Sequence, residues 1–197
     1  MTRVVLASHN RGKLAELGRL FARLDMSLLG LGELGIDAPD ETAPTFVENA
    51  LAKARHAAAK SGLAAIADDS GLVVPALGGA PGILSARYAG AHGDDVANNR
   101  RLVAELHGKS DRRAYFYCAL VFMRSADDPA PVIATAAWDG EVVDAPRGTN
   151  GFGYDPHFWL ADLGKTSAEL PSAEKDRLSH RGQAARALLA ALSEHTR

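Results

Sequence analysis

The chain has 197 residues and a formal net charge of −2, with 47% hydrophobic and 23% charged residues. This composition is typical of an ordinary folded globular protein, and the near-neutral charge, without a run of Lys or Arg, gives no electrostatic bias toward nucleic acid or an acidic membrane. Cys118 is the only cysteine, so no internal disulfide is possible, and its apolar surroundings favour a small buried side chain over a nucleophile.

The first elements alternate between strand and helix. Residues 3–7 predict a short buried strand, and residues 8–12 a polar turn. A helix is expected next, because apolar residues recur at helical spacing, at Leu14, Leu17, Phe21 and Leu24. A second strand is predicted around residues 27–31. The opening apolar run is too short for a signal peptide and no stretch is long enough to span a bilayer, so we expect a cytoplasmic protein.

The second helix has the clearest sequence signals. Thr45 and Glu48 have the capping-box spacing, by which each side chain can satisfy an amide at the helix start. Asn49 and Lys53 lie four residues apart and share one helical face. Ser61-Gly62 is the expected end of this helix.

The second half of the chain favours hairpins. Asp94 is the expected cap of a helix that runs to His107 and is closed by Gly108. Asp139-Gly140 predicts a turn, and the last helix is expected over residues 181–195. Strands are predicted at residues 65–77, 113–123, 132–137 and 141–143. This order predicts a mixed α/β sheet rather than a purely parallel one.

The turn SHNRGK, residues 8–13, joins a strand to a helix. Helix amides together with Lys13 can hold a phosphate at such a place. The stretch is not a Walker A loop, since the second glycine and the loop length are missing. The alternative is an Asn10 helix cap with a solvated Lys13, and the motif alone favours this alternative.

Two adjacent acids, Asp68 and Asp69, interrupt the apolar stretch AIADDSGL. Neighbouring side chains of a regular strand point to opposite faces, so both acids could approach one ion only if the strand ended or bulged, which Gly71 permits. Their partner is either a buried Arg or Lys or a Mg2+ ion that arrives with phosphate oxygens. Two acids in an apolar run favour the functional alternative. Glu41, taken alone, is a solvated loop acid.

Two later stretches carry further candidates. The glycine-rich loop NGFGYDPHF, residues 150–158, places Phe152 and Tyr154 where a planar ring could stack, and a tight turn with core aromatics is an equal alternative. The stretch KDRLSHRGQA, residues 175–184, collects basic residues that could donate hydrogen bonds to carbonyl groups or phosphate. The alternative is that these basic residues are solvated charges at the end of a helix. Together the stretches provide a metal-binding acid, phosphate donors, a stacking loop and base-edge donors, as a nucleoside triphosphate site requires.

The order and spacing of these motifs are also informative. SHNRGK, ETAPTFVENALAKA, ADDSGL, GAPGILSARYAG, NGFGYDPHF and LSHRGQA together resemble the inosine triphosphate pyrophosphatase family, from Val4 to about Leu192. The resemblance implies a mixed α/β fold with an elongated central sheet, and two lobes around a substrate cleft. It implies one pyrophosphatase domain over residues 1–197, a homodimer and Mg2+. The implied reaction is hydrolysis of ITP, dITP and XTP to the monophosphate and pyrophosphate.

The resemblance also implies roles for individual residues. Asp69 would be the catalytic acid and a metal ligand, with Glu41 as a second ligand, and Ser70 would touch the substrate. The triphosphate would be held by Ser8, His9, Asn10, Arg11, Gly12 and Lys13. The sugar and base pocket would be formed by Phe152, Gly153, Tyr154, Asp155, Lys175, His180 and Arg181. The chain departs from the family pattern at Ser8, where threonine is common, and at Ala43, where glycine is common. The first departure keeps a hydroxyl, and the second bears on the backbone near Glu41.

Two other functions fit the same residues. One is a nucleotide-binding module without turnover, which a titration with ITP would reveal as binding without hydrolysis. The other is a related house-cleaning phosphatase, which would release orthophosphate instead of pyrophosphate.

Overall fold

The computed structural model describes residues 2–22 and 26–195. Within these residues seven strands form one sheet, in the order β2-β1-β3-β4-β5-β6-β7. The strands are β1 Thr2–Ala7, β2 Met26–Gly30, β3 Ala64–Val73, β4 Arg113–Met123, β5 Val132–Val142, β6 Phe158–Leu160 and β7 Lys165–Thr166. The helices are α1 Arg11–Phe21, α2 Phe46–Ser61, α3 Asp95–Leu106, α4 Ser172–Leu178 and α5 His180–His195.

The sheet is mixed, as the sequence predicts. Strand β1 pairs in parallel with both β2 and β3. Strand β6 pairs antiparallel with both β5 and β7. The mixed α/β fold class is therefore confirmed.

Helix α2 begins and ends where its sequence signals place it. The Thr45 hydroxyl accepts a hydrogen bond from the Glu48 amide at 3.2 Å, and Gly62 ends the helix with a left-handed φ of 67°. The Glu48 carboxylate accepts a hydrogen bond from the Thr45 hydroxyl at 2.6 Å. Thr45 thus satisfies one helix amide, while Glu48 holds the capping side chain itself.

The chain divides into two compact units, each with its own apolar core. The first comprises Met1–Asp69, Cys118–Ala136 and Arg181–Arg197, and the second comprises Ser70–Tyr117 and Ala137–His180. Fully buried side chains of the first core include Val4, Leu17, Phe21, Ile66, Leu120 and Leu188. Those of the second core include Leu72, Leu102, Leu106, Phe158 and Leu170. The single pyrophosphatase domain stays a prediction.

Two expectations about elements are wrong. Strand β3 ends at Val73, because Pro75–Leu77 form a turn of 3-10 helix. Asp139-Gly140 is not a turn but lies inside β5. A Cβ atom at Gly140 would lie 2.6 Å from the Trp159 carbonyl oxygen, so this glycine serves the close approach of β6.

Helix α4 was not expected, because seven residues are too few to show a helical pattern. Leu24, which the pattern places on the apolar face of α1, lies outside the described residues. No helix in the described part of the chain combines the length and the apolar character that a membrane span needs.

Candidate active site

The turn before α1 is held by its own side chains. Asn10 caps the helix, since its Oδ1 accepts a hydrogen bond from the Lys13 amide at 3.0 Å, and the Asn10 amide donates to Ser8 Oγ at 3.1 Å. His9 and Arg11 are exposed, while Ser8 and Gly12 are half-buried. The expected Asn10 cap is confirmed.

Lys13 is not the solvated lysine of the alternative interpretation. Its side chain is 15% exposed, and its Nζ lies 2.5 Å from Oδ1 of Asp68. The first turn of α1 therefore brings a cation to the acidic residues of β3.

Asp68 is fully surrounded by donors. Besides Lys13, its Oδ2 accepts from Arg181 Nε at 3.0 Å and from the Cys118 thiol at 3.2 Å. Burial opposes ionisation of this carboxyl, but the charges of Lys13 and Arg181 outweigh it and hold its pKa well below the ordinary value. Burial and the nearby Asp68 charge raise the pKa of Cys118 well above the ordinary value, so this thiol stays protonated, as a non-nucleophilic cysteine would.

Arg181 is buried between two carboxylates. Its guanidinium pairs with Asp68 and, on the other side, with Glu16 of α1. Burial would lower the pKa of Arg181, but the two carboxylate charges raise it above its ordinary value. The resemblance places this residue in the base pocket, whereas the described contacts give its donors to protein carboxylates. A role at the base stays a prediction.

Asp69 points to the opposite face of β3 and has different partners. Lys53 Nζ donates to Asp69 Oδ1 at 2.7 Å and to Glu41 Oε1 at 2.9 Å. The other oxygen of Asp69, Oδ2, is buried and accepts no hydrogen bond within the described residues. Burial raises the pKa of Asp69, and the charges of Lys53 and Lys13 only partly offset this rise. One ammonium thus joins two acids, and one carboxylate oxygen is left for a further partner.

The loop that carries Glu41 is fastened to α2. Asn49 Oδ1 accepts from the Ala43 amide at 3.0 Å, and Asn49 Nδ2 donates to the Ala43 carbonyl at 3.2 Å. Among the described residues only glycines have positive φ, so Ala43 has a conformation that alanine adopts freely. Alanine at this position therefore does not disturb the backbone near Glu41.

The carboxylate cluster, as we call Glu41, Asp68 and Asp69 with Lys13, Lys53 and Arg181, suits a hard cation. The orphaned Asp69 Oδ2 and the Lys53 ammonium between Asp69 and Glu41 both mark a place where positive charge is favoured. No group of three or more His, Cys, Asp and Glu side chains in the described ranges is placed to hold a metal ion. Mg2+ commonly binds one or two carboxylates and completes its shell with water and substrate phosphates, so the donor set fits Mg2+.

The second unit contains the aromatic loop, residues 150–158. Asp155 organises it: its carboxylate accepts from Lys175 Nζ at 2.5 Å, from Ser167 Oγ at 2.7 Å and from the Phe152 amide at 2.9 Å. Lys175 Nζ also lies 5.2 Å from the centroid of the Phe152 ring. Phe152, Asp155 and Lys175 are thus brought together.

Gly153 and Tyr154 of this loop are held by protein groups. The Gly153 amide donates to Asp95 Oδ2 at 2.7 Å, and its carbonyl accepts from Asn99 Nδ2 at 2.8 Å. Tyr154 is buried and donates its hydroxyl hydrogen to the Ser85 carbonyl at 2.9 Å. Phe152 remains half-buried, so its ring is the part of the loop most suited to a ligand.

His180 lies in an aromatic stack of the second unit. Its ring centroid is 4.8 Å from that of Phe116, with the planes 11° apart, and 6.4 Å from that of Trp138. Ser70 is half-buried in β3. The structure thus places both residues, and their contacts with substrate stay predictions.

Sequence reasoning missed the residues that hold the expected ones. Lys53 had a usable signal, because it lies on the buried face of a helix otherwise lined by small residues. Asp95 and Asn99 also share a helical face, but their partner Gly153 is more than 50 positions away in sequence. Glu16 had no signal, since an acid on an amphipathic helix normally faces solvent.

Comparison with known proteins identifies a family. The model of the Ham1 family matches residues 4–191. A dITP/XTP pyrophosphatase of Ralstonia nicotianae is 60% identical over 187 residues, which is 93% of each chain. One from Nitrosomonas europaea is 55% identical over 195 residues, 99% of this chain and 96% of that one. The structure of a HAM1 protein from Coxiella burnetii superposes with a TM-score of 0.91 at 45% identity, covering 98% of this chain and 100% of the other.

Proposed function

Because this chain belongs to the Ham1 family, we propose that it is a nucleoside triphosphate pyrophosphatase acting on non-standard purine nucleotides. Its substrates are ITP, dITP and XTP, and its products are the monophosphate and pyrophosphate. The names of relatives that match nearly the whole chain support the substrate class.

The structural observation that carries the proposal is the second carboxylate oxygen of Asp69. A buried oxygen that lacks a donor costs free energy, on the order of 1–3 kcal/mol, and such groups in native proteins call for an explanation. Hydrolysis of a phosphoanhydride supplies one, since it needs a carboxylate aimed at a water or a metal. Asp69 is that residue in this proposal.

The protein side chains act chiefly through position and charge. Lys13, which already balances Asp68, neutralises phosphate oxygens of the substrate together with amides of this turn other than those of Ser8, Asn10 and Lys13, which donate to protein acceptors. Asp69 Oδ2 orients a water that attacks a phosphorus of the triphosphate and accepts the proton of that water, while the phosphoanhydride bond breaks and pyrophosphate leaves. Burial raises the pKa of Asp69 in the absence of a bound cation.

Asp69 and Glu41 would hold Mg2+. When bound there, the ion would neutralise phosphate charge and lower the pKa of a bound water. Lys53 bridges the two carboxylates, since its Nζ lies 2.9 Å from Glu41 Oε1 and 2.7 Å from Asp69 Oδ1.

The base is assigned to the aromatic loop. Phe152 offers a ring face for stacking, and donors from Lys175, His180 and Arg181 satisfy the 6-carbonyl of hypoxanthine or xanthine. Adenine has an amino group at that position, which leaves a donor facing a donor and disfavours ATP. The proposal also includes contacts from Ser70, Gly153, Tyr154 and Asp155, a single domain, a homodimer and a cytoplasmic location.

A panel of purine triphosphates tests this function. The purified protein with Mg2+ should release pyrophosphate from ITP, dITP and XTP much faster than from ATP or GTP, and EDTA should stop the release. Guanine shares the 6-carbonyl, so in this proposal the rejection of GTP comes from its 2-amino group near Phe152 of the aromatic loop. Orthophosphate as the first product would instead indicate the related phosphatase. Tight ITP binding without any product would indicate a binding module and contradict the proposal.

A further inference from the structure

The start of α3 holds the aromatic loop at one residue. Asp95 Oδ2 accepts from the Gly153 amide at 2.7 Å, and Asn99 Nδ2 donates to the Gly153 carbonyl at 2.8 Å. Asp95 and Asn99 are four residues apart, so both side chains project from one face of α3. Both backbone polar groups of Gly153 are therefore bound by this one helix.

The orientation of the Asn99 amide is fixed by its partners. Its Nδ2 donates to two carbonyl oxygens, those of Gly153 and Asp95, each at 2.8 Å. Only the NH2 group can satisfy two acceptors, so Oδ1 must point the other way, where it is buried and accepts no hydrogen bond from the described residues. A buried acceptor without a donor is unfavourable, which points to a role of this asparagine beyond packing.

The loop needs such restraint. Gly151 and Gly153 have φ values of 76° and 63°, and glycines in this region lose more conformational freedom on ordering than other residues. Phe152 lies between them. A ligand that had to order this segment itself would bind more weakly, whereas a loop that is already ordered avoids this cost.

We propose that Asp95 and Asn99 are positioning residues that hold Gly153 and thereby fix the Phe152 ring for stacking on the substrate base. This inference rests on the proposed function, because it takes the base as the ligand of the aromatic loop. In this proposal both residues act through Gly153 and not through contact with the substrate. Their loss should therefore weaken substrate affinity and leave the chemical step unchanged.

The helix supplies a matched control at the adjacent position. Asn98 is also buried, and its Oδ1 accepts from the Ala89 amide at 2.7 Å, outside the aromatic loop. Asn98→Ala and Asn99→Ala each remove an asparagine that binds backbone groups from the same helix. Asn99→Ala should raise KM for ITP about tenfold, as expected for loss of a buried hydrogen-bonded group, and change kcat by less than about threefold. Asn98→Ala should leave KM for ITP unchanged.

Hydrogen–deuterium exchange tests whether Asp95 and Asn99 hold Gly153, and it does so without any turnover. Exchange over residues 150–158 should be faster in Asn99→Ala and Asp95→Ala than in the wild type. It should be unchanged in Asn98→Ala. Asp95→Asn keeps an acceptor oxygen and should restore most of the protection that Asp95→Ala loses.

The kinetic and exchange measurements together distinguish failure of the proposed positioning role from failure of the proposed function. Unchanged exchange over residues 150–158 in both Asn99→Ala and Asp95→Ala overturns the proposal, as does an equal rise of KM in Asn98→Ala and Asn99→Ala. If the wild type hydrolyses none of the triphosphates, the proposed function fails, and so does the assignment of the base to the aromatic loop. The exchange experiment still shows whether Asp95 and Asn99 hold Gly153. Should Asn99→Ala not fold, KM and exchange are measured instead in Asp95→Ala, with Asp95→Asn as the variant expected to rescue both.

Discussion

Asp68 and Asp69 are adjacent in β3, and their carboxyl pKa values shift in opposite directions. Strand alternation sends the two side chains to opposite faces, where Asp68 meets Lys13 and Arg181 and Asp69 meets Lys53. Burial opposes ionisation in both. Two close cations overcome it only at Asp68. The charge of Asp68 therefore stabilises the fold, whereas the charge of Asp69 is retained at a cost.

Asp69→Asn should separate activity from stability. In the proposed function, the variant lacks the carboxylate that accepts the water's proton and holds the metal, so kcat should fall roughly 10²-fold or more. Because the folded-state pKa of Asp69 is raised, its ionised form opposes folding, and the neutral amide should not lower the free energy of unfolding at pH 7. Pyrophosphate release and urea unfolding measure the two effects. Normal turnover in this variant would remove Asp69 from catalysis.

Asp68→Asn should show the reverse pattern. Removing one partner of a buried ion pair costs about 3–5 kcal/mol of unfolding free energy, because Lys13 and Arg181 lose their shared counter-charge. The effect should depend on pH. The folded-state pKa of Asp68 is lowered, so its contribution is fully present above the unfolded carboxyl pKa of about 4 and is lost as pH falls through the folded value.

Urea unfolding of wild type and Asp68→Asn at pH 7 and at successively lower pH checks this expectation. The difference between the two proteins should shrink on acidification. A constant difference down to the acid limit would show that the carboxylate charge is not what stabilises the fold. The direct loss of turnover should be smaller in Asp68→Asn than in Asp69→Asn.

At the scale of elements, local signals predicted local structure. Thr45 and Gly62 bound α2 as the sequence indicates, since a cap and a left-handed glycine act within a few residues. Gly140 led to a wrong prediction of a turn. A glycine is needed there because the Phe158 ring and the Trp159 carbonyl of β6 lie close to it, and only the folded sheet brings them near. The same limit applies to the site. The sequence singled out Asp69 as a functional candidate, but its link to Glu41 exists only once the folded chain brings Lys53 of α2 to both carboxylates.

Gly71 shows the same lesson inside β3 and gives a prediction. A glycine at this position permits the strand to end or bulge after Asp69, yet β3 continues to Val73. A Cβ atom at Gly71 would meet the Gly82 carbonyl at 2.6 Å and the side chain of Ser85, which accepts from the Leu72 amide. Gly71→Ala should therefore lower the free energy of unfolding by about 1–3 kcal/mol through overpacking.

Gly18→Ala is the matched control for this glycine. Gly18 lies inside α1 and an added Cβ atom there meets nothing within 4 Å. Alanine should stabilise that helix by up to about 1 kcal/mol, because it has the better helix propensity. Urea unfolding of the two variants should thus give shifts of opposite sign. Shifts of the same sign would mean that the close contact does not explain Gly71.

At the scale of the whole molecule, substrate binding should appear as stability of the entire chain. A ligand that binds only the folded state adds about 2.7 kcal/mol at one hundred times its Kd. For a chain of this size each kcal/mol raises Tm by about 2–4 °C, so saturation should raise Tm by about 5–11 °C. A non-hydrolysable ITP analogue with Mg2+ is the appropriate ligand, because it persists during a thermal scan.

Three further scans make this measurement specific. The analogue without Mg2+ should give a smaller rise, because the negative charges of Asp69, Glu41 and the phosphates then face one another with Lys13 and Lys53 as their main counter-charges. The matching ATP analogue should also give a smaller rise, since its 6-amino group leaves a donor unpaired. Inosine monophosphate should give a small rise that does not depend on Mg2+, because it lacks the outer phosphates. Equal rises with the ITP and ATP analogues would show that selection among purines does not occur in binding, and would remove the aromatic loop from base recognition in the ground state.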